Sequence, residues 1–554
     1  MSESKSIHAR SLLRLPAFAL GGLETGAAGR SRFRSLLRLP AFALGGLETA
    51  AAGRSRFRSL LRLPAFALGG LLGLSPVLAL RPTTAVAAEA GKTGTAAQTS
   101  DVVKPSAKPA SPPPNIIVIL ADDLGYGDLG AYGGRAIKTP HIDDLAAQGI
   151  RFTDFHASDS VCTPSRAGLL TGRYARRMGL DDPLHPGGMS LLQSATVKFS
   201  YLMGRVGVMD LATVGDATGL NDDEITLAEA LKVAGYSTAM IGKWHLGDFR
   251  TDPQHNPRRH GFDHYFGVPY SNDMHPFPLY RDYEQLQANV DDQTTLTRLY
   301  TEEAVRFIEA SHDQPFFLYF AQTFPHRPLF ASEAFHGRSA GGIYGDTVEE
   351  LDWSLGQLID ALKRKNLLDN TLVMFTSDNG PWYEGSPGGF RGRKGQSFEG
   401  GHRVPFIAQW PARIPPGQVS NQLAINIDLL PTALALAGLA PPDDRPIDGK
   451  NIVELLTVPG SPSPHERLFF YHEGELEAVR EGKWKYFRSV NHYVWPLPVN
   501  KALGHLSEHT TGPLPLLFDL KTDPTEAYNV ADRHPQVAAR LAAEITKFEA
   551  ALSP

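Results

Sequence analysis

The chain contains a single cysteine, Cys162, and it opens the run Cys162-Thr163-Pro164-Ser165-Arg166-Ala167-Gly168-Leu169-Leu170-Thr171-Gly172-Arg173. With no second thiol it has no internal disulfide partner, and a free thiol by itself is ordinarily a buried core side chain. Its neighbours argue for chemistry instead. Pro164 suits the first turn of a helix, where its missing N–H costs nothing and its φ is already helical. Cys162 is therefore predicted at a helix N-terminus, on the surface, where partial positive charge and free backbone N–H groups favour a nucleophile and an anionic substrate. Arg166 would project from the same face one turn later.

Paired oxygen ligands follow two strand-like runs. Residues 116–120 (Ile-Ile-Val-Ile-Leu) read as a strand buried on both faces of a parallel sheet, and Asp122 and Asp123 come directly after. Residues 371–376 repeat the plan and lead into Asp378 and Asn379. Each pair alone reads as a turn or a helix cap. In open α/β sheets, however, ligands bind outside the carboxyl ends of strands, so ends about 250 residues apart can converge. Four hard oxygen donors without a nearby thiol select Ca²⁺ or Mg²⁺.

Positive charge and proton carriers come from further strand ends. Thr226 caps a helical pattern ending at Gly235, and residues 237–241 then form a strand that delivers Lys243 and His245. Two residues apart on an extended backbone, these would point to one side. The strand at residues 315–321 leads into a loop carrying His326. The glycine-rich segment from Phe390 to Gly401 could bring Lys394 close to an oxyanion. Taken singly, these are a solvated lysine, two ordinary histidines and a weak loop signal.

In wording and order these segments resemble the type I sulfatases, in the alkaline phosphatase-like superfamily. The likeness runs from Asp122-Asp123 through Cys162-Thr163-Pro164-Ser165-Arg166, Gly242-Lys243-Trp244-His245 and Ser377-Asp378-Asn379-Gly380 to Gly395-Gln396-Ser397-Phe398-Glu399. It spans roughly residues 113–550 and is nearest the arylsulfatase A and galactosamine-6-sulfatase branch, through Pro269-Tyr270-Ser271-Asn272-Asp273 and the segment 345–352.

The resemblance implies an α/β fold: a large, mixed, mostly parallel sheet sandwiched by helices, with a small C-terminal α+β subdomain containing an antiparallel sheet. It implies that Cys162 is converted to Cα-formylglycine by a formylglycine-generating enzyme. Asp122, Asp123, Asp378 and Asn379 would hold Ca²⁺, with Mg²⁺ as the alternative, together with an oxygen of residue 162. Lys243 and Lys394 would bind the sulfate, Arg166 and His245 would orient the aldehyde hydrate, and His326 would protonate the leaving oxygen. Ser271 becomes a substrate-binding candidate, and His402 reads as structural. The implied reaction is hydrolysis of organic sulfate monoesters, aryl or carbohydrate. Two rivals are a phosphonate monoester hydrolase or phosphodiesterase of the same superfamily, and a non-catalytic sulfated-glycan binder with unmodified Cys162.

The N-terminal 88 residues are of another kind. A phrase beginning Arg-Ser-Leu-Leu-Arg-Leu-Pro-Ala-Phe recurs with a period of 24 residues from Arg10, Arg34 and Arg58. Proline and Gly-Gly in each copy argue against a stacked solenoid and for a duplication. The third copy runs from a basic stretch through apolar residues 63–80 to Ala85-Val86-Ala87-Ala88, the pattern of a cleaved export signal. About 18 apolar residues is near the lower limit for a membrane span, so a membrane role requires that segment to stay uncleaved. A periplasmic or secreted protein is expected.

This segment holds eleven arginines and one lysine against three glutamates, so the rest of a chain of net charge −5 carries about −14. Such an acidic body is not expected to bind nucleic acid, and an anionic substrate must be held by local cations. Residues 89–114 read as a Pro/Ala-rich linker, 115–445 as the catalytic domain and 446–554 as the C-terminal subdomain. Residues 181–222 and 491–515 follow no family pattern and are candidates to line the substrate pocket.

Overall fold

The computed structural model describes residues 99–106, 112–187, 218–310, 314–472, 474–490 and 514–552. The N-terminal repeats, the expected export signal and most of the two unpatterned segments lie outside them. Among the described residues, no helix is long and apolar enough to cross a membrane.

Strand β1 (Asn115–Ala121) is followed by β2 (Ile150–Phe152), β3 (Phe155–His156), β4 (Ser237–Lys243) and β5 (His264–Val268). Next come β6 (Leu279–Arg281), β7 (Glu284–Gln287), β8 (Phe316–Ala321), β9 (Thr371–Ser377), β10 (Phe406–Gln409) and β11 (Gln418–Ser420). All of these except β3 form one 10-stranded sheet in the order β11-β2-β10-β9-β1-β8-β4-β5-β6-β7. Its centre, β9-β1-β8-β4-β5, is wholly parallel. β10 runs antiparallel between β9 and β2, and β6 and β7 complete the other edge as antiparallel strands.

The continuous apolar runs are explained by burial on both faces. Ile116, Val118 and Leu120 of β1 enter one core, with residues of the helices Leu227–Val233 and Leu429–Leu436. Ile117 and Ile119 enter the other, under the helices Leu296–Ala310 and Gly342–Arg364. Successive side chains of a strand face opposite ways, so a strand between two helical layers needs apolar residues at every position. The helix start at Thr226 is a capping box: its side chain accepts from the Glu229 N–H, while the Glu229 carboxylate accepts from the Thr226 N–H.

A second sheet holds β13 (Arg467–His472), β14 (Glu475–Glu481), β15 (Trp484–Phe487) and β16 (Leu516–Asp519), antiparallel in sequence order; β12 (Ala424–Ile425) pairs with β3. β14 and β15 are joined by a tight turn at Gly482 and Lys483. The helix Pro535–Ala550 packs on this sheet through Leu541 and Ile545, which are fully buried.

Two expectations are corrected. Residues 99–106, read within a flexible linker, are docked: they begin with a helical turn, Val103 is buried, and Pro105 pairs with Leu439. The helix Cys162–Thr171 is not at the surface, for all ten of its residues are buried.

The two sheets meet across a buried ionic knot. Asp154 accepts hydrogen bonds from Arg480 at 2.6 and 2.8 Å and pairs with Arg403. Glu399 takes Lys485 at 3.0 Å and His156 at 3.1 Å, and Glu526 takes Lys485 at 3.1 Å. Asp154, His156 and Glu399 lie close enough to share a metal. Three cations already occupy those carboxylates, so the cluster is an ion-pair junction. The Arg403 and Arg480 guanidiniums hold Asp154 down at about 2 against the upward push of burial. Asp154→Asn should cost roughly 3 kcal/mol by leaving two guanidiniums short of charge. A lower urea midpoint by tryptophan fluorescence would register it; an unchanged midpoint would reject the account.

Candidate active site

The register of the central strands brings the carboxylates together. β1 pairs with β9 from Asn115↔Thr371 to Ala121↔Ser377, so Asp122 and Asp378 leave the sheet side by side. Just past that edge, the Asp123 N–H donates to Asp378 Oδ1 at 3.1 Å, and Asn379 Nδ2 donates to Asp123 Oδ1 at 2.8 Å. Asp123 has φ 65°, a left-handed conformation that aspartate tolerates better than most residues. Carboxylate oxygens of Asp122, Asp123 and Asp378 all lie within 4.8 Å of one another.

Cys162 is the first residue of its helix and faces this cluster. Its Sγ is 3.6 Å from Asp122 Oδ1 and 3.3 Å from Lys394 Nζ. The Lys394 ammonium also donates to Asp123 Oδ2 at 2.8 Å. Its loop is pinned to the cysteine loop by the Gly395 N–H, which donates to the Ser160 carbonyl at 2.9 Å. Lys243, at the end of β4, donates to Asp122 Oδ2 and to Ser271 Oγ, both at 2.5 Å. Gly242 before it has φ 111°, and an added Cβ would lie 1.7 Å from the Ala321 carbonyl oxygen, so only glycine lets β4 approach β8 there.

Arg166 does not reach toward residue 162 with its donors. Its Nε donates to Asp378 Oδ2 at 2.9 Å, Nη2 lies 2.8 Å from the same oxygen, and Nη1 donates to the Lys243 carbonyl. It braces the carboxylates from behind.

Lys243 and His245 do not share the face of a strand, contrary to the sequence expectation. β4 ends at Lys243, and His245 turns left-handed with φ 59°. Its Nε2 is 2.9 Å from the Leu184 carbonyl, while Nδ1 is buried without a partner. His326 Nδ1 lies 3.0 Å from Asn272 Oδ1, and its Nε2 is 3.8 Å from Asp123. His402 is fully buried against Ala157 and Phe470, away from these groups.

Three contributors left little mark in the sequence. Asn272 orients His326. Thr163 donates its hydroxyl to the His245 carbonyl at 2.9 Å and accepts from the Leu184 N–H at 3.1 Å. Leu184 thereby brings the start of the unpatterned segment, residues 181–187, against the site.

Charge crowding dominates the electrostatics. Burial, with the Asp122 and Asp123 charges, pushes Asp378 up to about 7, although Arg166 and Lys243 oppose it. Burial would raise Asp122 too, but Lys243 and Arg166 hold it well below the usual carboxylate range. Burial lifts the Cys162 thiol to about 12 despite both lysines. An unmodified thiol with that proton affinity is a poor nucleophile near neutrality. Burial, then Lys243 and Arg166, drive His245 well below its ordinary value, so its imidazole is neutral. Burial and Lys394 also lower His326, against the pull of Asp123.

The site fits a hard dication. Three mutually repelling carboxylates stand together, and Asn379 Oδ1 is buried beside them with no hydrogen-bond partner. Asp122, Asp123, Asp378 and Asn379 could supply oxygen ligands of the type that suits Ca²⁺ or Mg²⁺.

The family described as Sulfatase matches residues 114–439, and that described as the C-terminal region of aryl-sulfatase matches residues 463–554. The N-acetylgalactosamine-6-sulfatase of Homo sapiens is 38% identical over 484 residues, 80% of this chain and 87% of its own length. Arylsulfatase A of Bos taurus is 40% identical over 479 residues, 79% of this chain and 88% of its own. A solved structure described with the metabolism of multiple glycosaminoglycans by Bacteroides thetaiotaomicron superposes with a TM-score of 0.68 at 28% identity. It covers 79% of this chain and 100% of that one. Likeness of this extent, on a fold whose sheet edge gathers the residues above, establishes that the chain belongs to the sulfatase family and is a sulfuric ester hydrolase.

Proposed function

We propose that the chain hydrolyses sulfate monoesters of carbohydrates, using formylglycine at position 162 and Ca²⁺ held by Asp122, Asp123, Asp378 and Asn379. The observation that carries this reading is the contact of Cys162 Sγ with both Lys394 and Asp122, at the wall of the carboxylate cluster. The carbohydrate class is supported by the N-acetylgalactosamine-6-sulfatase relative and by the neighbour described with glycosaminoglycan metabolism. Three carboxylates and an amide favour Ca²⁺, since Mg²⁺ is usually bound through only one or two carboxylates. A formylglycine-generating enzyme is the implied maturation partner, and the N-terminal signal pattern supports export to the periplasm or beyond.

When bound, the dication supplies Lewis-acid polarisation of a sulfate oxygen and makes a neighbouring hydroxyl more acidic. A hydrated aldehyde at residue 162 offers one hydroxyl for attack on sulfur and a second whose deprotonation releases sulfate, an exit that a serine or thiol lacks. The remaining work falls to side chains of the chain. Lys243 and Lys394, on either side of the cluster, bind the nonbridging oxygens and stabilise charge that shifts onto them in the transition state. Ser271 holds the Lys243 ammonium in place. Arg166 orients Asp378 and opposes the rise in its proton affinity. Neutral His245, with Nδ1 unoccupied, accepts a proton from the hydrate. His326 gives a proton to the departing oxygen, and an anionic ester seated beside it would raise its proton affinity.

Cys162→Ala should reduce nitrophenyl sulfate turnover to background while the protein still melts cooperatively, because alanine fills nearly the same space. Appreciable turnover by the folded variant would refute the assignment, and a lowered mass of the wild-type Cys162 peptide would report the aldehyde. His326→Ala should slow hydrolysis of alkyl sulfates by about 10²- to 10⁴-fold, with a much smaller effect on nitrophenyl sulfate, whose leaving group needs little protonation. Equal losses on both substrates would remove His326 from the acid role.

A further inference from the structure

We infer a second anion-binding subsite, for a sulfated saccharide extending from the ester being cleaved, in a cavity between the two sheets. The inference rests on the hydrolase reading above and adds a site to it. The cavity has a volume of about 740 Å³, and its lining carries four cations, Arg403, Arg480, Lys483 and Lys521, against one carboxylate, Asp154.

Its place in the fold links it to the reaction. β2 runs parallel to β9 and β1, and β10 runs opposite to them, so the end of β2 and the start of β10 lie on the same edge of the sheet as Asp122 and Asp378. Thr153 and Asp154 follow β2, and Arg403 precedes β10. These strands are the third and second neighbours of β1. At about 4.8 Å per strand, the cavity sits about 10–15 Å along that edge from the catalytic carboxylates. Two of its walls belong to the loops that build the catalytic centre. Tyr126 lies three residues after Asp123, and Phe390 lies four residues before Lys394.

The lining suits a sugar bearing negative charge. Tyr126 and Phe390 meet edge to face at 5.2 Å and supply the apolar surface on which sugar rings pack. Arg403 lies over the Phe390 ring, 4.5 Å from its centroid, and shares Asp154 with Arg480, so both guanidiniums are fixed in position. Lys483 is paired only at the surface, with Asp519, while Lys521 is exposed and has no ion-pair partner among the described residues. These two lysines are available to anionic groups without disturbing the buried knot.

The test uses the matured full-length enzyme, a chondroitin 6-sulfate hexasaccharide, the corresponding disaccharide and nitrophenyl sulfate. The double variant Lys483→Ala, Lys521→Glu should bind the hexasaccharide about tenfold more weakly by calorimetry, with a shallower dependence on salt. Disaccharide affinity and nitrophenyl sulfate kcat/KM should stay within twofold of the wild type. Unchanged hexasaccharide affinity in the variant, or a wild type that binds disaccharide and hexasaccharide equally, would overturn the subsite. A wild type showing the expected binding but no nitrophenyl sulfate turnover would support the subsite and defeat the hydrolase reading instead.

Discussion

Three carboxylates forced together in a dry place are the constraint around which this molecule is organised. At the separations seen between Asp122, Asp123 and Asp378, each pair of full charges repels by about 3 to 4 kcal/mol at a protein-like dielectric. Nothing in the strands themselves relieves this. Relief comes from Arg166, Lys243 and Lys394, brought in from a helix, a neighbouring strand end and a glycine-rich loop. The fold is in this sense a device for delivering cations to one sheet edge. The parallel centre makes that possible, because every parallel strand presents its carboxyl end on the same side.

A second concentration of charge, around Asp154 and Glu399, solves a different problem. Its carboxylates pair with two arginines and a lysine, and these ion pairs fasten the small sheet to the large one. At both, burial leaves one carboxylate hard to ionise: Asp378 in the first and Glu526 in the second are each pushed up to about 7. Both groupings look alike as collections of acidic residues and histidine. What separates them is the donor set: the first offers three carboxylates and the Asn379 amide oxygen beside Cys162, whereas the second sets a histidine between two carboxylates at the seam of the sheets.

Much of this was legible in the sequence where local rules reach far enough. A strand covered on both faces must be apolar throughout, so β1, β4, β8 and β9 stood out, and with them Asp122, Lys243, His326 and Asp378 at their ends. Pro164 and the Thr226 capping box marked helix starts for the same local reason. Ser271 was visible only through resemblance, since a lone serine in a loop carries no signal of its own. The placement of His245 was misjudged because alternation holds only while the backbone stays extended, and here it turns left-handed. Thr163, Asn272 and the Leu184 carbonyl act through hydrogen bonds to residues distant in sequence, which leave no periodic pattern. The junction at Asp154 joins residues up to 326 positions apart, beyond any periodicity.

The enclosure of Cys162 bears on the order of events in the life of the chain. The residue is 2% exposed, and the helix it begins is covered along its whole length. No enzyme could grip that peptide once the two layers have closed over it. On the proposed conversion of this thiol, its catalyst would have to meet a nascent or still-extended polypeptide, and a copy that collapsed too early would stay unconverted.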